Sequence, residues 1–367
     1  VRSRVLSVRR AAATAVLLVV GASALVATPA STVARPDREV GHTKVLALVE
    51  APGYPANVFR HPNGRVYAGT FSNPRGDAVP SVVREWTRGG TLLRSWTVPG
   101  QDLTQPHGVQ VATADARGRL MVLDKGSGRI LMLDIRTGRW WTYAQVRDVP
   151  GGAGPIPNYA AWGRDGSLYV TDYGQPVIWR IPRGGDRAWV FHRDQKLDGG
   201  TFGTTGIVYR PQQQALYVMQ QSSLGLGEPT VAQGKLYRLF IGEDPNGDVA
   251  PPSLDRLWTS GLLDLPDGFS FGESGNVYVA LAGTNQIAVL DKHYRPVRKI
   301  GALVSGDNGS PVPFDTPSNV TFAGESVLVA NQSYLTGTEA HHAILDVHVG
   351  ESGVPVYIPE SAGRPRR

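Results

Sequence analysis

The chain is 367 residues long, enough for two average domains or one large repeat array. Lys and Arg number 37 against 31 Asp and Glu, a formal charge of +6, and there is no cysteine. Residues 1–34 hold four Arg and no acid, so the rest carries 33 basic against 31 acidic side chains, or +2. That balance gives no electrostatic reason to expect nucleic acid or an anionic bilayer as a partner. Lacking cysteine, the chain cannot use disulfides, thiol catalysis, cysteine-ligated zinc or a lipid-modified cysteine anchor, and its stability must come from its core.

The N-terminal stretch reads as a targeting segment. Arg2, Arg4, Arg9 and Arg10 precede an apolar run from Ala11 to Val26, and small residues such as Thr28-Pro29-Ala30 and Thr32-Val33-Ala34 follow. Basic region, apolar region and cleavage site in that order make residues 1–34 a removable secretory signal. The expected product is a secreted, extracytoplasmic monomer with no integral membrane domain. The Arg9-Arg10 pair leaves the general and the twin-arginine export routes both open. Residues 35–367 are expected to form one domain, with a disordered tail from about 358 to 367.

After an isolated strand pattern, Lys44-Val45-Leu46-Ala47-Leu48-Val49, one phrase recurs six times. Its copies are Pro55-Ala56-Asn57-Val58, Pro106-His107-Gly108-Val109, Pro157-Asn158-Tyr159-Ala160, Thr204-Thr205-Gly206-Ile207, Pro266-Asp267-Gly268-Phe269 and Pro317-Ser318-Asn319-Val320. Their starts lie 51, 51, 47, 62 and 51 residues apart. A period near fifty with several strands per unit is the signature of a propeller.

Within a unit, the phrase leads through an Asn-Gly, Asp-Gly or Ser-Gly turn into a short apolar strand, as in Asp165-Gly166-Ser167-Leu168-Tyr169-Val170. A third strand follows (Val177-Ile178-Trp179-Arg180-Ile181), then a looser fourth (Ala188-Trp189-Val190-Phe191). The sixth unit has no convincing fourth strand, so the orphan strand at 44–49 is expected to complete it and close the ring, removing the open sheet edge. The fold class is all-β: a six-bladed β-propeller of four-stranded blades. A pair of β-sandwiches is the competing architecture, and the regular spacing disfavours it.

In such a ring the residue after each anchor should face the central channel. This gives Ala56, His107, Asn158, Thr205, Asp267 and Ser318, with Asn319 beside the last. Five of the six ring positions are polar where an ordinary core would place Val, Ile or Leu, and polar groups facing a tunnel need water, a ligand or an ion. Asp267, the one formal anion, with the Asn158 amide and hydroxyl oxygens makes a hard-oxygen set suited to Ca2+. His107 would shift preference towards Zn2+ or Mn2+.

The phrases Pro157-Asn158 with Asp165-Gly166-Ser167-Leu168-Tyr169-Val170-Thr171-Asp172, and Pro266-Asp267-Gly268 with Gly275-Asn276-Val277-Tyr278-Val279-Ala280, resemble the senescence-marker/gluconolactonase/luciferin-regenerating-enzyme family of six-bladed propellers. The likeness extends over the mature chain as a repeat pattern, and strictosidine-synthase-like and NHL-repeat propellers share its motifs. It implies lactone hydrolysis assisted by one divalent cation in the channel, held by a Glu, two Asn and an Asp. Asn158 matches the first Asn, and Asp267 matches the Asp that also serves as base. Ala56 stands where the Glu should be, and Thr205 where the second Asn should be.

The expected function is therefore a metal-assisted hydrolase of a lactone or related carboxylic ester acting on a small-molecule substrate. Asn158, Asp267 and Thr205 are its metal candidates, and Asp267 and His107 its catalytic ones. A non-catalytic extracellular propeller binding a glycan, peptide or protein partner, and a lyase of the strictosidine-synthase or NHL type, remain as alternatives. Long insertions at Gln220–Gly234 and Gly242–Leu254 are expected to overhang one mouth.

Overall fold

Each unit is built by turn chemistry followed by apolar strands. Gly64, Gly166 and Gly275 hold φ of +89°, +80° and +92° in the turns after three of the inner strands, a region that residues with a Cβ rarely enter. The second strands that follow are buried along their whole length, as in Val66–Thr70, Leu168–Asp172 and Val277–Leu281. The outermost strands, such as Leu92–Thr97 and Pro296–Ile300, are mostly exposed. Burial thus falls from the axis outward.

The computed structural model describes residues 38–73, 76–200, 202–223, 232–242 and 253–364. The leader expected at 1–34 lies outside these residues, as do the central parts of both long insertions.

Six four-stranded antiparallel sheets follow one another along the chain. Blade 1 runs Pro55–Arg60, Val66–Thr70, Val82–Trp86, Leu92–Thr97, and blade 2 runs Val109–Ala114, Leu120–Asp124, Arg129–Asp134, Arg139–Gln145. Blade 3 has inner strand Pro157–Trp162, blade 4 Thr204–Arg210, blade 5 Pro266–Phe271 and blade 6 Pro317–Phe322. A two-residue strand, Asp186–Arg187, reaches from blade 3 to pair in parallel with the outer strand of blade 2. Among the described residues there is no α-helix, only two single turns of 3-10 helix.

The closure expected from the sequence is present. Thr43–Leu48 pairs with Ala343–His348 and forms the outer strand of blade 6. The core is divided accordingly into six apolar clusters, each wedged between two neighbouring blades. One, with Trp162 and Leu123, joins blades 2 and 3, and another, with Trp86 and Ile344, joins blades 6 and 1 across the closure. Two packed sandwiches would give two internal cores, so this arrangement rules that architecture out.

The C-terminal segment corrects one expectation. Residues 358–364, read as part of a disordered tail, are packed: Ala362 is wholly buried, its carbonyl accepts from Ala116, and the Arg119 guanidinium donates to the Gly363 carbonyl. Small side chains at Ala362 and Gly363 let the backbone lie close to Asp115, a fit that polarity alone conceals. Upstream, Glu351 accepts from the Ser274 amide and hydroxyl, Asn276 Nδ2 and the Tyr278 hydroxyl, so the segment begins clasped to blade 5.

Candidate functional site in the central channel

The register of the first ladder in each blade fixes which residues meet at the axis. Pro55 faces Thr70, Val109 faces Asp124, Pro157 faces Asp172, Thr204 faces Gln220, Pro266 faces Leu281 and Pro317 faces Asn331. The next residue on each inner strand is Ala56, Gln110, Asn158, Thr205, Asp267 and Ser318. The next on each second strand is Phe71, Lys125, Tyr173, Gln221, Ala282 and Gln332. All six of the latter, with Gln110, Asn158, Asp267 and Ser318, line one cavity of about 170 Å³ at the channel mouth. Phe202, Leu265, Thr316, Tyr334 and Leu335 complete its wall.

Asn158 and Asp267, more than a hundred residues apart in sequence, thus share one chamber with Ser318, as the repeat spacing requires. Asn158 is held by a 3.0 Å bond from Nδ2 to the Thr204 carbonyl of the next blade. Ala56 is fully buried and lies outside this chamber. Thr205 has turned away: its hydroxyl lies 3.3 Å from the Asp267 carbonyl oxygen and 3.4 Å from those of Met219 and Pro266. Asn319 sits one step deeper, with Nδ2 donating to Asn57 Oδ1 at 2.7 Å and Oδ1 accepting from the Val58 amide at 2.8 Å.

His107 does not face the channel. In blade 2 the ladder begins only at Val109, so the phrase runs early and the counterpart of Asn158 is Gln110. The His107 ring lies against backbone, with Nδ1 3.0 Å from the Gln105 carbonyl and Nε2 2.8 Å from that of Val79. The nearest carboxylate, Asp77, is 3.8 Å from Nε2. His107 therefore pins the loop before blade 2, and Gln110 takes the place it was expected to fill.

Sequence reasoning missed Lys125. Its ammonium lies 4.7 Å from the Phe71 ring centroid and 5.1 Å from that of Tyr173, two cation–π contacts inside the cavity. Desolvation pushes this lysine down to about 8, while Asp267 and Asp172 pull the other way. Asp267, the one carboxylate on the cavity wall among the described residues, is raised to about 7 by desolvation, opposed by the Lys125 ammonium and the Tyr159 hydroxyl. Behind it, Asp172 accepts from the Ile156 and Gly174 amides, Gln175 Nε2 and the Trp179 indole, yet burial still lifts it above the usual range. Tyr173 is raised by burial as well. The available signal was positional: Lys125 directly follows the second strand of its unit, as Tyr173 does in the next.

Two acceptors in this chamber have no partner among the described residues. Asp267 Oδ1 and Gln110 Oε1 are buried and take no hydrogen bond. Buried acceptors left open carry a desolvation penalty that a donor from outside can relieve.

The donor set does not suit a divalent cation. One carboxylate and neutral oxygens supply little charge, and a resident lysine ammonium already stands beside that carboxylate. Among the described residues there is no group of three or more His, Cys, Asp and Glu placed to hold a metal. The Ca2+, Zn2+ or Mn2+ expected from the polar ring therefore lacks a sufficient ligand set among the described residues. Ala56 removes the carboxylate, Thr205 faces away, and Lys125 supplies the positive charge instead.

Known structures of similar shape fit this architecture. Regucalcin from Agrobacterium tumefaciens, a calcium-binding protein, matches with TM-score 0.58 at 13% identity over 85% of this chain and 98% of that one. A luciferin-regenerating enzyme matches at 0.56 and 13% over 84% and 95%, and virginiamycin B lyase from Staphylococcus aureus at 0.53 and 16% over 82% of both chains. Regucalcin and the luciferin-regenerating enzyme share the six-bladed propeller with this chain. At these identities the likeness extends to the fold alone. No protein-family model and no curated protein sequence matches the chain.

Proposed function

We propose that this chain is an exported propeller hydrolase acting as a monomer on a small, hydroxylated lactone or related ester at the channel mouth, with Asp267 as general base and Lys125 in place of the divalent cation. The observation that carries the reading is the pairing of a raised carboxyl having an open Oδ1 with a lysine ammonium in one chamber. A base is most effective when its pKa lies near the working pH, and the raised Asp267 carboxyl supports that role near neutrality.

In this reading Asp267 takes a proton from water as the water oxygen bonds to the substrate carbonyl carbon. Charge grows on the carbonyl oxygen, and the Lys125 ammonium stabilises it in a setting of low dielectric. The ring C–O bond then breaks, and the proton held on Asp267 passes to the departing oxygen, giving a hydroxy acid with atoms and charge balanced. The open acceptor at Gln110 and the rings of Tyr173 and Tyr334 suit a ligand with hydroxyl donors and a flat face.

The test is proton release from a sugar δ-lactone by wild type, Asp267→Asn and Lys125→Met, with and without EDTA. Hydrolysis abolished by either substitution and indifferent to EDTA supports the assignment, and an equal rate in Asp267→Asn ends it. A binding propeller is the second reading, favoured by the two open acceptors, which recognise hydroxyls without requiring chemistry. Saturable lactone binding with no turnover in wild type would select it.

A further inference from the structure

The channel holds a second chamber, separate from the mouth. It has a volume of about 250 Å³ and is lined by the deeper parts of the inner strands, including Ile207, Phe269, Phe271 and Val320, with Val354 and Tyr357 of the C-terminal segment. On the mouth side it is closed by the Tyr159 hydroxyl, which donates to the Ser318 carbonyl, and by the Asn57–Asn319 pair. On the other side the C-terminal segment passes over it, fixed by the Val354 amide on the Phe271 carbonyl at 2.8 Å and by the Gly353–Gly272 bridge. Glu351 and its four donors anchor that segment just upstream.

This apolar wall carries one cation. The Arg210 guanidinium sits over the Phe271 ring, 4.4 Å from its centroid, and Phe271 belongs to the same wall. Among the described residues Arg210 has no ion-pair partner, and its Nε is buried without a hydrogen bond. No acid among the described residues lines the chamber. A buried guanidinium nitrogen left open is costly, and a planar carboxylate is the group that best satisfies it, through paired N–H donors.

We propose that this inner chamber binds an apolar monocarboxylate, its carboxylate on Arg210 and its hydrocarbon body along Ile207, Phe269, Phe271 and Val320. An apolar cavity of roughly 150 Å³ holds a benzene molecule, so about 250 Å³ admits a medium-length alkyl chain or a substituted aromatic ring. The site does not depend on the chemistry of the mouth, from which the Tyr159 and Asn319 layer divides it. Ligand access would lie beside the turn at Arg210–Gln212 and the segment at Val356, where Gln212 and Val356 are exposed.

Titration calorimetry of the whole purified protein with octanoate, and with 1-octanol as the uncharged match, tests this. Octanoate should bind at one site, with 1-octanol at least about tenfold weaker because it cannot form the paired bonds to Arg210. Arg210→Met should weaken octanoate about tenfold and leave 1-octanol unchanged. Val356→Glu, at a position 49% exposed and so tolerant of charge, should also weaken octanoate by repulsion. Unfolding midpoints of both variants near that of wild type would show that the fold survives. No octanoate binding, equal affinity for the two ligands, or an Arg210→Met variant that binds octanoate normally would each overturn the proposal.

Discussion

The Tyr159 hydroxyl donates to the Ser318 carbonyl at 2.7 Å, joining blade 3 to blade 6 straight across the channel. Blades three places apart in a ring of six face each other, so this bond spans the axis and stands between the two chambers. Its donor lines the inner one and its acceptor residue the outer one. Tyr159→Phe keeps the packing and leaves the Ser318 carbonyl without this donor. The expected loss is about 1–3 kcal/mol in denaturant unfolding, the penalty for a buried acceptor stripped of its partner. A variant as stable as wild type would show that water replaces the hydroxyl freely.

Asp267 and Lys125 impose opposite pH dependences on stability. Asp267 is raised from 3.8 to about 7, so between those values the folded chain holds a proton that the unfolded chain has lost. Stability should therefore fall as pH rises through that window, by at most about 1.4 kcal/mol per pH unit from this group. Lys125 is lowered from 10.5 to about 8, so above pH 8 the unfolded chain holds the extra proton and stability should recover as pH rises towards 10.5. Urea unfolding at successive pH values checks both slopes. Asp267→Asn should remove the decline below pH 7, and a decline that persists in this variant would assign it to another group.

The ring was legible because its signals are local and repeated. Anchor phrases and Gly turns recur with the period of the blade, and the missing fourth strand in unit six is matched by the surplus strand at Thr43–Leu48. The placement of Asn158, Asp267 and Ser318 in one chamber followed from that period alone. His107 was misplaced because the phrase and the ladder are different things. Pro106-His107-Gly108 resembles the other anchors, but pairing starts at Val109, and a slip of that kind exchanges one channel residue for another. Lys125 went unseen because a lysine after an Asp at a turn reads as solvated surface. Only the neighbouring blades, which bring Phe71 and Tyr173 against its ammonium, reveal otherwise.

Gly268 is closely packed in the layer between the chambers. A Cβ there would meet Asn319 Cβ at 2.4 Å, its Cα at 2.8 Å and the Tyr159 hydroxyl at 2.9 Å. Gly268→Ala must therefore displace the inner strand of blade 6 or push Tyr159 off Ser318. The expected cost is about 1–3 kcal/mol of overpacking, seen as a lowered unfolding midpoint. Gly76→Ala is the control in one respect, since a Cβ at Gly76 meets nothing within 4 Å, although its φ of +86° adds its own strain. Equal midpoints for Gly268→Ala and wild type would show that the layer yields.

Closure by the N-terminal strand ties the first and last blades together. Thr43–Leu48 pairs along Ala343–His348, and Arg38 reaches over it to donate to Asp346 Oδ1 at 2.8 Å. Ala47 and Val49 are buried in the cluster that joins blade 6 to blade 1. Just beyond, Arg84 donates to the Glu50 and Ala51 carbonyls, tying the end of this segment to blade 1. A chain beginning after residue 48 keeps five complete blades and bares the edge at Ala343–His348, a template for pairing with another molecule. The expected outcome is a loss of about 3 kcal/mol or more from lost burial, together with concentration-dependent association on sizing chromatography. Adding back a synthetic peptide of residues 38–48 should restore a monomer, because the same ladder can form from a separate strand. A truncated chain that stays monomeric and equally stable would mean that the inter-blade clusters hold the ring without this strand.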